Sequence, residues 1–196
     1  MTTSRPGGDG VDVWLVDDPD SASQVLRTIV GSALGRPADA VVIDREPCRR
    51  CGGPHGRPVV RDGDGLHVSL SRTSGLALVA LRRGLPVGVD VERRRPVPEL
   101  AAVALSRDET GDDPLRSWVH KEALVKSTGD GLTRDPASFS LHPGPGPGTR
   151  TAAGFAETTV ELRLGHPDGA DVVAVVAGIG LTADAVVVHL PSTVTS

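Results

Sequence analysis

Two short runs in the chain place acidic and basic side chains where they could act together. In Val87-Gly88-Val89-Asp90-Val91-Glu92 the valines alternate with Gly88, Asp90 and Glu92. If the run is a strand, period two puts the valines on one face and both carboxylates on the other, roughly 7 Å apart along the backbone. Converging oxygen ligands of this kind suit a hard cation that keeps several waters and also binds phosphate, which describes Mg²⁺. A solvated edge strand explains the same alternation equally well. In the later run from Ser117 to Lys126, Trp118, Glu122 and Lys126 stand at i, i+4 and i+8, so a helix would carry them on one face with Lys121 flanking. That set could be an exposed salt-bridge ladder, or it could complete a metal and pyrophosphate site.

The elements that must hold these residues are legible from periodicity and turn chemistry. Val11 to Val16 reads as a strand, and Asp20 or Ser21 can cap a helix whose buried stripe is Val25, Leu26, Ile29, Val30, Ala33 and Leu34. A short strand at Ala40 to Ile43 leads into a Gly- and Pro-rich loop from Glu46 to Pro58. Strands are expected at Leu66 to Ser71, Leu76 to Leu81 and Val87 to Glu92. Asp113 followed by Pro114 is a helix start, and Gly129 suits its C-terminal cap. Ser138 to Leu141, Val160 to Leu164, Val172 to Ile179 and Ala185 to Leu190 read as further strands. Trp118 on this amphipathic helix is expected to pack rather than to do chemistry.

With 196 residues, 38% of them hydrophobic, the chain is long enough to bury a core. A net charge of −4 and four Phe and Trp residues in all disfavour nucleic-acid binding. The N-terminal stretch, Met1 to Gly10, is polar, and no apolar run reaches the length of a membrane span; the expectation is a cytoplasmic protein without a membrane partner. Cys48 and Cys51, with His55 after them, begin a zinc-ligand pattern but lack a second pair nearby. A structural loop with reduced thiols is the preferred reading, and a redox C-x-x-C is weaker because no helix can follow it.

The order Gly56-Arg57-Pro58, Leu66 to Ser71, Val87 to Glu92, then Trp118 to Leu132 with Ser138-Phe139-Ser140-Leu141 after it, resembles the surfactin-type 4'-phosphopantetheinyl transferases. Their hallmarks are Gly-Lys-Pro, a Ser-His-Ser strand, (V/I)G(V/I)D(V/I)E and WxxKEAxxK, and the match covers about half the chain. The resemblance implies an α+β fold of two small, similar helix-plus-sheet subdomains packed with pseudo-twofold symmetry, here residues 1–90 and 91–196. It implies Mg²⁺-dependent transfer of the phosphopantetheine arm of coenzyme A to a serine of an acyl or peptidyl carrier protein, in polyketide or nonribosomal peptide biosynthesis. Asp90, Glu92 and Glu122 would hold the metal. Arg57, Ser69, Lys121 and Lys126 would contact coenzyme A, with Arg57 in place of the family's lysine. Glu122 and Lys126 would be the catalytic residues.

Two departures stand out. The family's Ser-His-Ser is here Ser69-Leu70-Ser71, and leucine cannot donate a hydrogen bond. Asp17, Asp18 and Asp20 precede the first helix where relatives carry basic residues for the nucleotide's 3'-phosphate. These losses leave a second reading, a degenerate relative that binds coenzyme A or a carrier without transferring anything. A zinc-binding interaction module built on Cys48 and Cys51 is a third.

Overall fold

The computed structural model describes residues 10–164 and 172–191; the polar stretch 1–9 lies outside them. Its strands are β1 (Val11–Val16), β2 (Ile43–Arg45), β3 (Pro58–Val60), β4 (Leu66–Thr73), β5 (Leu76–Arg83), β6 (Gly88–Arg93), β7 (Leu141–Pro143), β8 (Thr149–Ala152), β9 (Glu157–Glu161), β10 (Val172–Ile179) and β11 (Val186–His189). The helices are α1 (Ala22–Leu34), α2 (Leu100–Ala104) and α3 (Pro114–Thr128). The strands form a six-stranded sheet in the order β11-β1-β5-β4-β3-β2 and a five-stranded sheet in the order β6-β10-β9-β8-β7. Both are antiparallel except where β1 pairs in parallel with β11.

Burial follows from an α/β/β/α stacking. The inner stripe of α1 (Leu26, Val30) packs on Val68, Ala77, Val79 and Leu81 of the first sheet. The opposite face of that sheet, with Val11, Val13, Leu76, Leu78 and Ala80, meets Val87, Val89, Val91 and Val176 beside the second sheet. The far side of the second sheet, with Val173, Val175 and Ala177, is covered by Leu115, Val119, Ala123 and Leu124 of α3. Strands β5 and β10 therefore have cores on both faces, which is why they read as unbroken apolar runs rather than alternating ones.

Several expectations move by a few residues. The proposed strand at Ala40 to Ile43 is a 3₁₀ turn at Ala38–Ala40 followed by β2. The one at Ser138 to Leu141 is a 3₁₀ turn at Pro136–Ser138, capped by Asp135, followed by β7. β9 lies three residues earlier than expected, and β3, α2 and β8 had no counterpart in the sequence reading. These missed elements have five residues or fewer, too short for a period to emerge.

The two sheets are stitched by side chains. β6 is an edge strand, and its outward N–H groups need partners. Val89, Val91 and Arg93 donate theirs to the hydroxyls of Ser69, Ser71 and Thr73 at 3.1, 3.4 and 3.5 Å. Hydroxyls at alternate positions of β4 thus match alternate amides of β6. Helix α3 closes on the same strand from the other side, and Gly88 makes this possible. A Cβ at position 88 would lie 2.0 Å from the Ala123 carbonyl oxygen and 2.5 Å from the Ser127 nitrogen. Gly88→Ala is expected to destabilise the fold by about 3 kcal/mol in urea unfolding, since backbone rather than a mobile side chain must give way. A parental midpoint would contradict this packing.

Candidate active site between the two sheets

Helix α3 is fixed at both ends by its own sequence. Asp113 accepts hydrogen bonds from Leu115 N and Arg116 N at 3.0 and 3.3 Å, Pro114 occupies the first turn, and Gly129 ends the helix at φ 76°. Burial opposes ionisation of Asp113, but Arg94 and the helix amides outweigh it and hold the carboxyl below its ordinary range. The anchored helix presents Glu122, Val125 and Lys126 to a cavity of ≈430 Å³. Arg57, Pro58, Ser69 and Leu70 form the opposite wall, and Arg45, Cys48, Arg49, Arg50 and His55 complete the rim.

Asp90 and Glu92 share the face of β6 that turns away from Val87, Val89 and Val91, whose side chains enter the inter-sheet core. Asp90 is 5% exposed. Its Oδ1 accepts from Lys126 Nζ at 2.5 Å and from Ser71 Oγ at 2.7 Å, whereas its Oδ2 is buried and has no hydrogen-bond partner among the described residues. Glu92 Oε2 accepts from Thr73 Oγ1 at 3.0 Å and lies 3.9 Å from Arg95 Nη2. Glu122 Oε1 is also buried without a partner among the described residues. Burial pushes the Glu122 carboxyl above its ordinary pKa; Lys126 opposes the shift, and the charges of Asp90 and Glu92 add to it. A third carboxylate is therefore close enough to feel the other two.

Two buried oxygens without partners, on facing elements, are costly unless something satisfies them. The donor set is oxygen only, as Mg²⁺ requires. Asp90, Glu92 and Glu122 thus fit a divalent cation, with Lys126 supplying positive charge beside them.

The site residues read from the sequence are not all brought together. Arg57, Ser69, Glu122 and Lys126 line the cavity, and Asp90 is joined to it through Lys126. Arg57 pairs with Glu46 at 2.7 Å. Ser69 is buried and its hydroxyl is engaged by Val89 N. Lys121, expected at a phosphate, is instead sealed on another side of α3 at 0% exposure. Its ammonium donates to Glu109 Oε2 at 2.5 Å, to Ala104 O at 2.8 Å and to Pro136 O at 2.9 Å. Glu122 is also more enclosed than an exposed salt-bridge ladder would have it. Trp118 packs against the α3 cluster, as expected.

Sequence reasoning passed over Ser71 and Thr73, which orient Asp90 and Glu92, although their spacing mirrors that of the carboxylates. It also passed over Arg45, Arg49 and Arg50 on the rim. Asp17, Asp18 and Asp20 are not among the residues lining the cavity.

Residues 86–177 match the family described as the 4'-phosphopantetheinyl transferase superfamily. The chain is 30% identical over 127 residues to 4'-phosphopantetheinyl transferase HetI of Nostoc sp., covering 56% of this chain and 51% of that protein. It is 27% identical over 129 residues to 4'-phosphopantetheinyl transferase Sfp of Bacillus subtilis, covering 59% of this chain and 57% of that protein. It is 29% identical over 128 residues to 4'-phosphopantetheinyl transferase psf-1 of Bacillus pumilus, covering 59% and 52%. The match spans about half the length of these curated relatives. The matched segment contains β6 and α3, the two elements that carry Asp90, Glu92, Glu122 and Lys126. By this match and by its two-sheet α+β fold, the chain is similar to the 4'-phosphopantetheinyl transferase superfamily over the segment that carries these four residues.

Proposed function

We propose that this protein transfers the 4'-phosphopantetheine arm of coenzyme A to a serine of an acyl or peptidyl carrier protein, with Mg²⁺ held by Asp90, Glu92 and Glu122. The observation that carries this reading is the pair of unpartnered buried oxygens, Asp90 Oδ2 and Glu122 Oε1, beside a cavity rimmed by Arg45, Arg49, Arg50, Arg57 and Lys126. When bound, the cation supplies charge neutralisation at the pyrophosphate. Coenzyme A brings two phosphate clusters, and the rim arginines offer forked donors to both. They stand in for the basic residues that the stretch at Asp17, Asp18 and Asp20 lacks.

Transfer needs alignment and charge neutralisation more than covalent help from the enzyme. The carrier serine oxygen attacks the phosphorus bonded to the pantetheine oxygen. A new P–O bond forms, the bond to the bridging pyrophosphate oxygen breaks, and adenosine 3',5'-bisphosphate leaves. Glu122 accepts the serine proton. Lys126 places its ammonium where negative charge grows. The carriers are those of polyketide or nonribosomal peptide assembly, and the reaction belongs in the cytoplasm, where the thiol of coenzyme A stays reduced.

The division of the chain into halves 1–90 and 91–196 is retained as a proposal. It is supported by one sheet and one long helix in each half, with β6 at the division joining the second sheet and β11 returning to the first.

The test is incubation of several apo carrier proteins with this protein, coenzyme A and Mg²⁺, followed by intact-mass measurement. The expected result is one added phosphopantetheine on a competent carrier. No gain on any of them would favour the degenerate binding protein, a reading that Leu70 on the cavity wall supports. Leu70→His restores a donor there and is expected to tighten coenzyme A binding roughly tenfold to a hundredfold, the effect of one charge-assisted hydrogen bond. Unchanged calorimetric affinity in the folded variant would show that Leu70 is not a defect.

A further inference from the structure

The loop between β2 and β3 holds a second set of converging ligands that the transfer reaction does not use. Cys48 N donates to Gly53 O and Gly52 N donates to Cys48 O, both at 2.8 Å, so the chain folds back on itself across Cys48-Arg49-Arg50-Cys51. Gly52 takes φ 71°, which favours glycine at this turn. Gly53 N then donates to Cys51 Sγ at 3.4 Å, and His55 Nε2 lies 2.9 Å from the same sulfur. The ligand atoms of Cys48, Cys51 and His55 all lie within 4.8 Å of one another. In a tetrahedral zinc site, with sulfur at about 2.3 Å and nitrogen at about 2.0 Å, ligand atoms stand about 3.5–3.8 Å apart. Small side-chain rotations bring this set there.

The surrounding backbone keeps the space open. A Cβ at Gly53 would lie 3.0 Å from His55 Cδ2, 3.2 Å from its Nε2 and 3.3 Å from Cys51 Sγ, wedging ring and sulfur apart. Both cysteines are free thiols, so neither is committed to a disulfide.

We infer that Cys48, Cys51 and His55 bind one zinc ion, with the fourth position left to water. Two thiolates and an imidazole form a soft set that selects zinc over the Mg²⁺ suited to the carboxylate site. The metal closes the loop that carries the cavity rim. Arg49 reaches from it to Asp130, beyond the end of α3, at 2.6 Å, and Arg57 follows His55 by two residues. Zinc therefore holds the arginine wall in place from outside the reacting centre.

The full chain, purified under reducing conditions, equilibrated with Zn²⁺ and desalted, is expected to retain one zinc by elemental analysis. Co²⁺ in its place should give tetrahedral visible bands and thiolate-to-metal charge transfer in the near ultraviolet. Cys48→Ser or Cys51→Ser should each remove about half of that charge transfer, and the double variant should remove all of it while keeping the parental circular dichroism. His55→Asn and Gly53→Val should release the metal to a weaker chelator than the parent does. The inference fails if the parent retains no more zinc than the double cysteine variant. It fails equally if bound Co²⁺ shows no charge transfer, or if the thiols form a disulfide in the presence of zinc.

Discussion

Glu122→Gln is expected to slow phosphopantetheine transfer by about 10²–10⁴-fold, the usual worth of a positioned general base, while leaving the melting temperature at or above the parental value. The two halves of that expectation have one origin. Burial raises the Glu122 pKa, and the charges of Asp90 and Glu92 raise it further against the pull of Lys126. A carboxyl whose pKa is higher in the fold than in the unfolded chain, near 4.3, contributes stability below that value. The contribution is lost as pH rises through the folded pKa. In its ionised form Glu122 therefore weakens the fold, and glutamine of the same size relieves the strain while removing both basicity and a metal ligand. A folded Glu122→Gln protein that modifies its carrier at the parental rate would remove α3 from the chemistry.

Lys121→Met is expected to cost about 3–5 kcal/mol of stability, because it leaves Glu109 buried without its counter-charge. The pair is a hub. Lys121 ties the end of α2 and the turn at Pro136 to α3, and Glu109 also accepts from Ser106 N at 2.9 Å and Leu141 N at 2.8 Å. Burial works against the Glu109 charge, but Lys121 and the two amides outweigh it and depress its pKa. Stability from this carboxylate is thus present above the unfolded value near 4.3 and lost as pH falls through the folded one. Acid unfolding of the parent should therefore show a loss that Lys121→Met has already suffered in part. Adding Glu109→Gln to Lys121→Met should recover stability, since the unpaired charge is gone. If Lys121→Met instead folds as firmly as the parent and loses coenzyme A affinity, the lysine belongs to the phosphate site after all.

The contrast between Lys121 and Glu122 shows what a sequence reveals and what it hides. Helical spacing put Glu122 and Lys126 on one face, and both line the cavity, because a 3.6-residue period is a local property. It could not assign Lys121, one position before Glu122, since its partner Glu109 stands twelve residues earlier across an irregular stretch with no period. The alternation from Val87 to Glu92 was legible for the same local reason as the helix. The hydroxyls that hold Asp90 and Glu92 were not, because Ser71 and Thr73 act between strands that share no ladder. β5 and β10 declared themselves as apolar runs, but only the packing shows that each has a core on both faces. The arginine rim follows from loop closure at Gly52, Gly53 and Gly56, where conformation rather than side-chain type decides position.

The most direct test of the central claim, that the cavity between Arg57 and α3 is the coenzyme A site, is calorimetric titration of coenzyme A with Mg²⁺ into the parent, Arg57→Ala and Lys126→Ala. One site per chain is expected in the parent, and each variant should bind more weakly by about 1.5–3 kcal/mol, the worth of a hydrogen bond to a charged group. Parental affinity in both folded variants, or no binding to the parent at all, would contradict it.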